Sequence, residues 1–312
     1  LSDASLRELE RRAKAGDREA QQRLRAGLLR LRDPRLEILE AQQGDLNIMI
    51  ALADVREVWD SSWLEGGAAN VLVTSPPYKK ADGFDHELMQ TVGEFAHRAL
   101  VPGAWVFFNF GQLREDFLRP WKAFSGFLNG SLGMDDALVA HQQIAWVKSY
   151  SPGPGQPCRG HCQPLNSPNL LNYSWEHLFT AFKPTALGGE PELDRLAVGV
   201  PFADQSNLTR GTRGKNGNLR CGGDVWVVGY ETTGATKKKA HDYEYPAELV
   251  ERCLKVSGCA GLAARGERQV VLDTFLGAGQ TAVVAKRLGI SAVGVERDRK
   301  RAERALARWK EA

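Results

Sequence analysis

The sequence predicts an α/β fold with a mostly parallel sheet covered on both faces, and three observations carry that prediction. From Gly44 onward, short apolar runs alternate with amphipathic stretches, the pattern of strands interleaved with helices. Near the C-terminus, Val270-Val271-Leu272 leads into a glycine-bearing loop, a helical stretch, a second apolar run and the acid Glu296. That is the layout of a Rossmann-like, nucleotide-binding βαβ unit. Finally, only about forty residues follow Asp273, too few for a doubly wound sheet. Earlier segments must complete the sheet, which places the cofactor half at the C-terminus in a circularly permuted order.

Taken in order, residues 1–42 read as an N-terminal helical extension, with Leu6, Leu9, Ala13, Leu24, Leu28 and Leu31 at helical spacing through residues 1–40. Val71-Leu72-Val73 is a buried strand ending at Thr74-Ser75-Pro76-Pro77-Tyr78, and residues 86–100 form a helix. After the turn Pro102-Gly103, residues 105–109 make another strand, as do 143–148 and 177–182. Residues 150–170, rich in Pro, Gly, Ser and Asn, read as a long loop. The catalytic half is assigned to 43–183, an insertion to 184–224 and the cofactor half to 225–312. Within the last, Val225 to Val228 is a strand, a helix starts near Pro246, and 297–310 is the final helix.

Composition bounds the function. With 43% hydrophobic and 25% charged residues over 312 positions, the chain has the makings of an ordinary soluble core. A net charge of +3 is too small to identify a polyanionic partner. No apolar run approaches the roughly 20 residues that span a bilayer, and the basic, polar N-terminus does not read as a signal peptide. Five scattered cysteines argue against a disulfide framework and for a reducing cytoplasm. Cys158, His161 and Cys162 lack a second ligand pair at metal-site spacing, so no metal is expected.

The loop at Asp273-Thr274-Phe275-Leu276-Gly277-Ala278-Gly279 does not fit the dinucleotide fingerprint, since Val283 stands where its third glycine belongs. An acid at the loop entrance sits badly beside a pyrophosphate but tolerates a zwitterionic sulfonium. The expected cofactor is therefore S-adenosylmethionine, with Glu296 accepting hydrogen bonds from ribose hydroxyls.

Ser75-Pro76-Pro77-Tyr78 follows its strand at the carboxyl edge, where open α/β sheets bind ligands. Two prolines fix φ and remove two N–H donors, leaving a rigid stretch that presents carbonyl oxygens. Such a group suits an exocyclic amine, whose lone pair is delocalised into its ring. Accepting its hydrogens at Ser75 Oγ and the Pro76 carbonyl would favour a pyramidal nitrogen able to attack in line. Tyr78 could stack on an extruded base.

This tetrapeptide resembles motif IV of the DNA amino-methyltransferases. Asp273 to Gly279 looks like their motif I, and Gly294-Val295-Glu296 their motif II. Gly44-Asp45 is similar to motif III, residues 175–183 to motif VIII, and 241–249, with Tyr245-Pro246, to motif X. The order IV, variable region, X, I resembles that of the β group. The likeness covers roughly residues 43–312, and departs from the family where Thr274 replaces proline and Gln280 replaces a small hydroxyl residue, though Thr281 follows.

The resemblance implies catalysis by Ser75, Pro76, Pro77 and Tyr78. It implies cofactor binding by Asp45, Thr74, Tyr245, Pro246, Asp273, Phe275, Gly277, Gly279, Thr281 and Glu296. The insertion would read double-stranded DNA through Arg210, Arg213, Lys215 and Arg220. A serine at the head of the tetrapeptide resembles the cytosine-N4 enzymes, with adenine N6 the alternative; a non-catalytic DNA-binding protein on the same fold is a different-class alternative. RNA is a further candidate substrate, disfavoured by the insertion's suitability for the major groove. Pro157-Cys158 resembles the nucleophilic dipeptide of cytosine-C5 enzymes, but those carry the cofactor loop before the cysteine, the reverse of this order. A bacterial or phage origin, a homodimer and a companion restriction endonuclease are compatible with the resemblance.

Overall fold

The computed structural model describes residues 36–59, 63–64, 66–77, 85–114, 116–160, 167–203, 218–229 and 244–312. Most of the helical extension, Tyr78, His161, Cys162, Arg210, Arg213, Lys215 and His241 lie outside the described residues. In chain order the elements are β1 (Ile38–Gln43), β2 (Leu46–Leu52), α1 (Val55–Trp59), β3 (Ala69–Thr74), α2 (His86–Ala99), β4 (Leu100–Phe110) and α3 (Arg119–Asn129). There follow β5 (Val139–Val147), β6 (Ser149–Tyr150), β7 (Arg159–Gly160), β8 (Trp175–Phe182), β9 (Val200–Pro201), β10 (Leu219–Arg220) and β11 (Val225–Val227). The C-terminal part holds α4 (Ala247–Val256), α5 (Cys259–Ala264), β12 (Val270–Asp273), α6 (Gln280–Arg287), β13 (Ser291–Glu296) and α7 (Arg299–Glu311).

Among the described residues, nine strands form one sheet in the order β1-β2-β13-β12-β3-β4-β8-β5-β11. Strands β2, β13, β12, β3 and β4 run parallel, as do β5 and β11. Only β1 and β8 run against their neighbours. The two C-terminal strands thus sit mid-sheet, between β2 and β3.

Strand periodicity sends alternate residues to opposite faces, and two cores result. Leu72, Val106 and Phe108 point to the face covered by α1, α2 and α3. Val71, Phe107 and Val271 point to the face covered by α4 to α7. Helices α2 and α3 touch backbone to backbone at Gly93, where a Cβ would stand 1.8 Å from the Phe127 carbonyl oxygen. No described helix is long and apolar enough to cross a membrane.

Several expectations are corrected here. Residues 38–43 form β1 rather than helix, because pairing with β2 half-buries Ile38 and Leu39. Strand β4 starts at Leu100 and runs through Pro102-Gly103, absorbing them as an irregularity in its register with β3. The loop 150–170 contains a short ladder, β6 with β7. Within the insertion 184–224, Leu193 and Val198 pack against the second core.

Candidate functional site

The carboxyl ends of β2, β13, β12, β3, β4 and β5 gather along one edge of the sheet, joined by the amino end of antiparallel β8. Two groups of polar side chains meet there.

The first group is built on the loop after β12. Leu276 N–H donates to the Val295 carbonyl (2.9 Å), which lays the loop against β13. Gly277 N–H and Asp298 N–H then each donate to Glu296, at 2.8 Å to Oε2 and 2.8 Å to Oε1. Glu296 is buried, and burial pushes its carboxyl above the usual carboxylate range while the two N–H donors pull it back. Each oxygen keeps acceptor capacity beyond its one N–H partner. Gly277 adopts φ +56°, and a Cβ there would come no nearer than 3.9 Å to any other atom, so the space above the loop is open. Gly279 differs: at φ +83°, its Cα faces α7, where a Cβ would lie 2.6 Å from Ala305 Cβ.

Asp273 lies at the centre of this group, fully enclosed. Its Oδ1 accepts from Thr74 Oγ1 (3.0 Å) and Phe275 N–H (3.1 Å). Its Oδ2 accepts from Tyr245 (2.9 Å) and Thr281 (2.6 Å). Burial raises the Asp273 carboxyl and raises the Tyr245 phenol well above its ordinary value. Pro246 caps α4 at φ −67°, a helix-entry angle its ring enforces, and so fixes Tyr245 beside it. Gln280 does not reach Asp273: its Oε1 accepts from Arg308, which also holds the Ala278 carbonyl at 2.8 Å. Thr281, one residue on, supplies the hydroxyl.

The second group holds the tetrapeptide. Ser75 Oγ donates to Asn109 Oδ1 at 3.0 Å. Asn109 Nδ2 donates both to Glu176 Oε2 (3.2 Å) and to the His177 carbonyl (3.1 Å). Lys148 Nζ in turn donates to Glu176 Oε1 at 2.6 Å. Pro76 is buried and Pro77 half-buried. A hydroxyl has one proton and two lone pairs, and in this contact Ser75 is the donor and Asn109 Oδ1 the acceptor.

The structure therefore brings together Thr74, Ser75, Pro76, Tyr245, Asp273, Phe275, Gly277, Gly279, Thr281 and Glu296 along one edge. It does not bring Asp45. Gly44-Asp45 forms the turn before β2, and β2 runs parallel to β13 with Leu52 opposite Glu296. Asp45 thus sits at the opposite edge, about 20 Å away along a seven-residue strand. Asp54, just past the far end of β2, is the carboxylate at the right edge: Ala53 N–H donates to the Glu296 carbonyl (3.2 Å), and Asp54 Oδ2 lies 4.0 Å from Arg297. Arg220 is exposed on β10. Thr74 is wholly buried with its hydroxyl turned to Asp273.

Sequence reasoning passed over Asn109, Glu176, Lys148 and Asp54. The strands carrying Asn109, Glu176 and Lys148 were legible and the one before Asp54 was not; the signal available was position, since each residue lies at or next to the end of a strand that meets the Ser75 edge.

The profile of the N6_N4_Mtase family, described as DNA methylase, matches residues 69–307. The Type II methyltransferase M.ScaI of Streptomyces caespitosus is 34% identical over 92 residues, 26% of this chain and 28% of that protein. The match thus spans well under a third of that relative's length. Among solved structures, the PvuII DNA methyltransferase (cytosine-N4-specific) aligns with a TM-score of 0.56 at 15% identity, covering 84% of this chain and 86% of that one. The M1.HpyAVI–SAM complex aligns with a TM-score of 0.51 at 16% identity, covering 84% and 98%. These two likenesses show a shared methyltransferase fold. The profile match extends from β3 through α7 and so takes in both polar groups of the edge; the chain belongs to the N6_N4_Mtase family of DNA methylases.

Proposed function

We propose that the protein transfers a methyl group from S-adenosylmethionine to the exocyclic N4 of cytosine in double-stranded DNA, by in-line attack of a base turned out of the helix. The observation that carries this reading is the committed proton of Ser75. Both Asn109 Nδ2 hydrogens are engaged, by Glu176 and the His177 carbonyl, so Asn109 can meet Ser75 only as an acceptor. Ser75 then donates to Asn109, and the role we assign to its oxygen is to accept from the substrate amine.

S-adenosylmethionine supplies an electrophilic methyl sulfonium when bound. Glu296 is the acceptor for its ribose hydroxyls, and the open space over Gly277 admits it. The Tyr245–Asp273–Thr281 cluster forms the wall beside α4. Ser75 and the Pro76 carbonyl accept the amine hydrogens, turning the nitrogen lone pair out of conjugation and towards the methyl. Transfer of the methyl from sulfur to this nitrogen would leave S-adenosylhomocysteine, and the surplus amine proton would pass to water. Flipping is required because the amine inside a duplex is paired, and Tyr78 is the stacking partner.

The serine heading the tetrapeptide supports cytosine, as does the likeness to the cytosine-N4-specific PvuII enzyme. The permuted, β-group reading is supported by the mid-sheet position of β12 and β13. The insertion 184–224 divides a catalytic half beginning near residue 43 from the cofactor half at 225–312. A homodimer and a companion restriction endonuclease belong to the same reading.

The test is mass spectrometry of nucleosides from DNA incubated with the protein and labelled S-adenosylmethionine. N4-methylcytosine is expected. N6-methyladenine would move the activity to adenine, and absence of any labelled base would leave a non-catalytic DNA-binding protein.

A further inference from the structure

The backbone ladder between the catalytic strand β3 and the cofactor strand β12 pairs Val71 with Val271 and Leu72 with Leu272, and goes no further. Beyond it, the two chain ends that carry Ser75 and the glycine loop are joined by side chains. Thr74 Oγ1 lies 3.0 Å from Asp273 Oδ1 and 2.9 Å from Thr274 Oγ1. Thr74 has one hydroxyl proton, and an ionised Asp273 can only accept. The direction of the second contact follows: Thr274 donates to Thr74, and Thr74 donates to Asp273. All three residues are buried, with Thr74 fully so and Asp273 and Thr274 each 1% exposed. Buried hydrogen-bond chains of this kind resist displacement, because a lost partner cannot be replaced by water.

We infer that Thr74 is a positioning residue, and that the Thr274–Thr74–Asp273 chain sets the distance between Ser75 and the methyl donor held by the glycine loop. The inference rests on the methyltransferase reading above and deepens it. Thr74 precedes Ser75 directly, so its register fixes where the amine acceptor stands. Thr274 and Asp273 open the loop, so their register fixes where the donor stands. A proline at position 274 would have no hydroxyl, so the second half of the tie depends on the threonine this chain carries there. The geometry also reassigns Thr74, whose only polar side-chain group is turned away from the open space and into the tie.

The test combines calorimetry of S-adenosylmethionine binding with single-turnover methyl transfer to DNA at saturating cofactor. Thr74→Val keeps the shape and removes the hydroxyl. Its cofactor affinity is expected within about threefold of wild type, while the transfer rate falls roughly 10- to 100-fold, the scale of a misplacement approaching 1 Å. Thr74→Ser should restore the rate to within about threefold, which a general packing defect would not allow. Thr274→Val leaves Asp273 with its Thr74 partner, so it carries the test should Thr74→Val fail to fold; a smaller rate loss at unchanged cofactor affinity is expected. The double variant should be no slower than Thr74→Val alone, since both act on one tie.

An unchanged rate in Thr74→Val and Thr274→Val would overturn the inference. So would a tenfold loss of cofactor affinity with normal transfer at saturation, which would make Thr74 a cofactor contact. If the wild-type protein labels no base at all, the methyltransferase reading falls and this inference with it. Wild-type labelling with unaffected variants sinks the inference alone.

Discussion

Ser75 Oγ donates to Asn109 Oδ1, and Glu176 and the His177 carbonyl hold the Asn109 amide in the orientation that presents this oxygen. Lys148 fixes Glu176 from the other side. Ser75→Ala should therefore bind cofactor normally and lose transfer on the order of 100-fold, the scale of removing one preorganised transition-state hydrogen-bond partner. Asn109→Leu should also lose rate, because the serine proton is then free to turn towards the amine; normal single-turnover kinetics in that variant would refute the assignment. Glu296 carries a pH dependence with a definite sign. Its folded pKa is raised by burial, so it weakens the folded state as pH rises from the unfolded carboxylate value through the folded one. For the cofactor the sign is opposite. The ionised acceptor makes the stronger, charge-assisted bonds to ribose hydroxyls, and it is lost as pH falls through the raised value. S-adenosylmethionine affinity should decline on acidification, beginning above the ordinary glutamate range. Glu296→Gln should bind weakly at neutral pH and show little of that decline. A wild-type affinity that stays flat on acidification into the ordinary glutamate range would count against the role.

Elements differ in how far local sequence determines them. The βαβ unit from β12 to β13 was legible almost to the residue, because an apolar run, a glycine loop, a helix and a second run are consecutive and self-sufficient. Its glycines are legible for reasons the structure now separates: Gly277 leaves space open, whereas Gly279 lets α7 close in at a positive φ. Gly279→Ala should therefore destabilise the fold by about 1–3 kcal/mol, the cost of overpacking, lowering the melting temperature by several degrees and weakening cofactor binding as α7 shifts. A melting curve superimposable on wild type would remove the packing argument. The β1–β2 hairpin was not legible. Gly44-Asp45 is a good turn signal and a family-like dipeptide at once, and only the parallel register of β2 with β13 reveals that it faces the wrong edge. Asn109, Lys148 and Glu176 were invisible as a set because β4, β5 and β8 converge only through long connections and one antiparallel reversal. No spacing along the chain encodes that meeting. Helix α3 was missed because Arg119–Asn129 lacks acidic first-turn residues and a side-chain cap; its burial against α2 holds it instead.

At the scale of the molecule, the proposed function requires the edge that carries Ser75 and Glu296 to receive a duplex, and the chain's +3 charge does not by itself say where. On that proposal residues 184–224 are the surface to test. Leu193 and Val198 anchor the segment to the second core, and β9 pairs with β10 through Val200 and Arg220, leaving Arg220 exposed. Residues 210–220 hold Arg210, Arg213, Lys215 and Arg220 within eleven positions and contain no acid. Groove readers and phosphate contacts make separable predictions here. An arginine reading a guanine edge should cost roughly 1–3 kcal/mol when replaced by alanine and should relax preference at a single base position. A residue that only neutralises a phosphate should weaken all sequences alike and reduce the salt dependence by about one unit of slope. Single alanine substitutions at the four positions, assayed on a randomised-site library at two salt concentrations, distinguish the two. At least one of the four is expected to change site preference and at least one to change only the slope. If all four leave affinity, preference and slope unchanged, the solvated surface loop is the correct description of this segment. Recognition must then be sought in the arginine-rich residues 1–40.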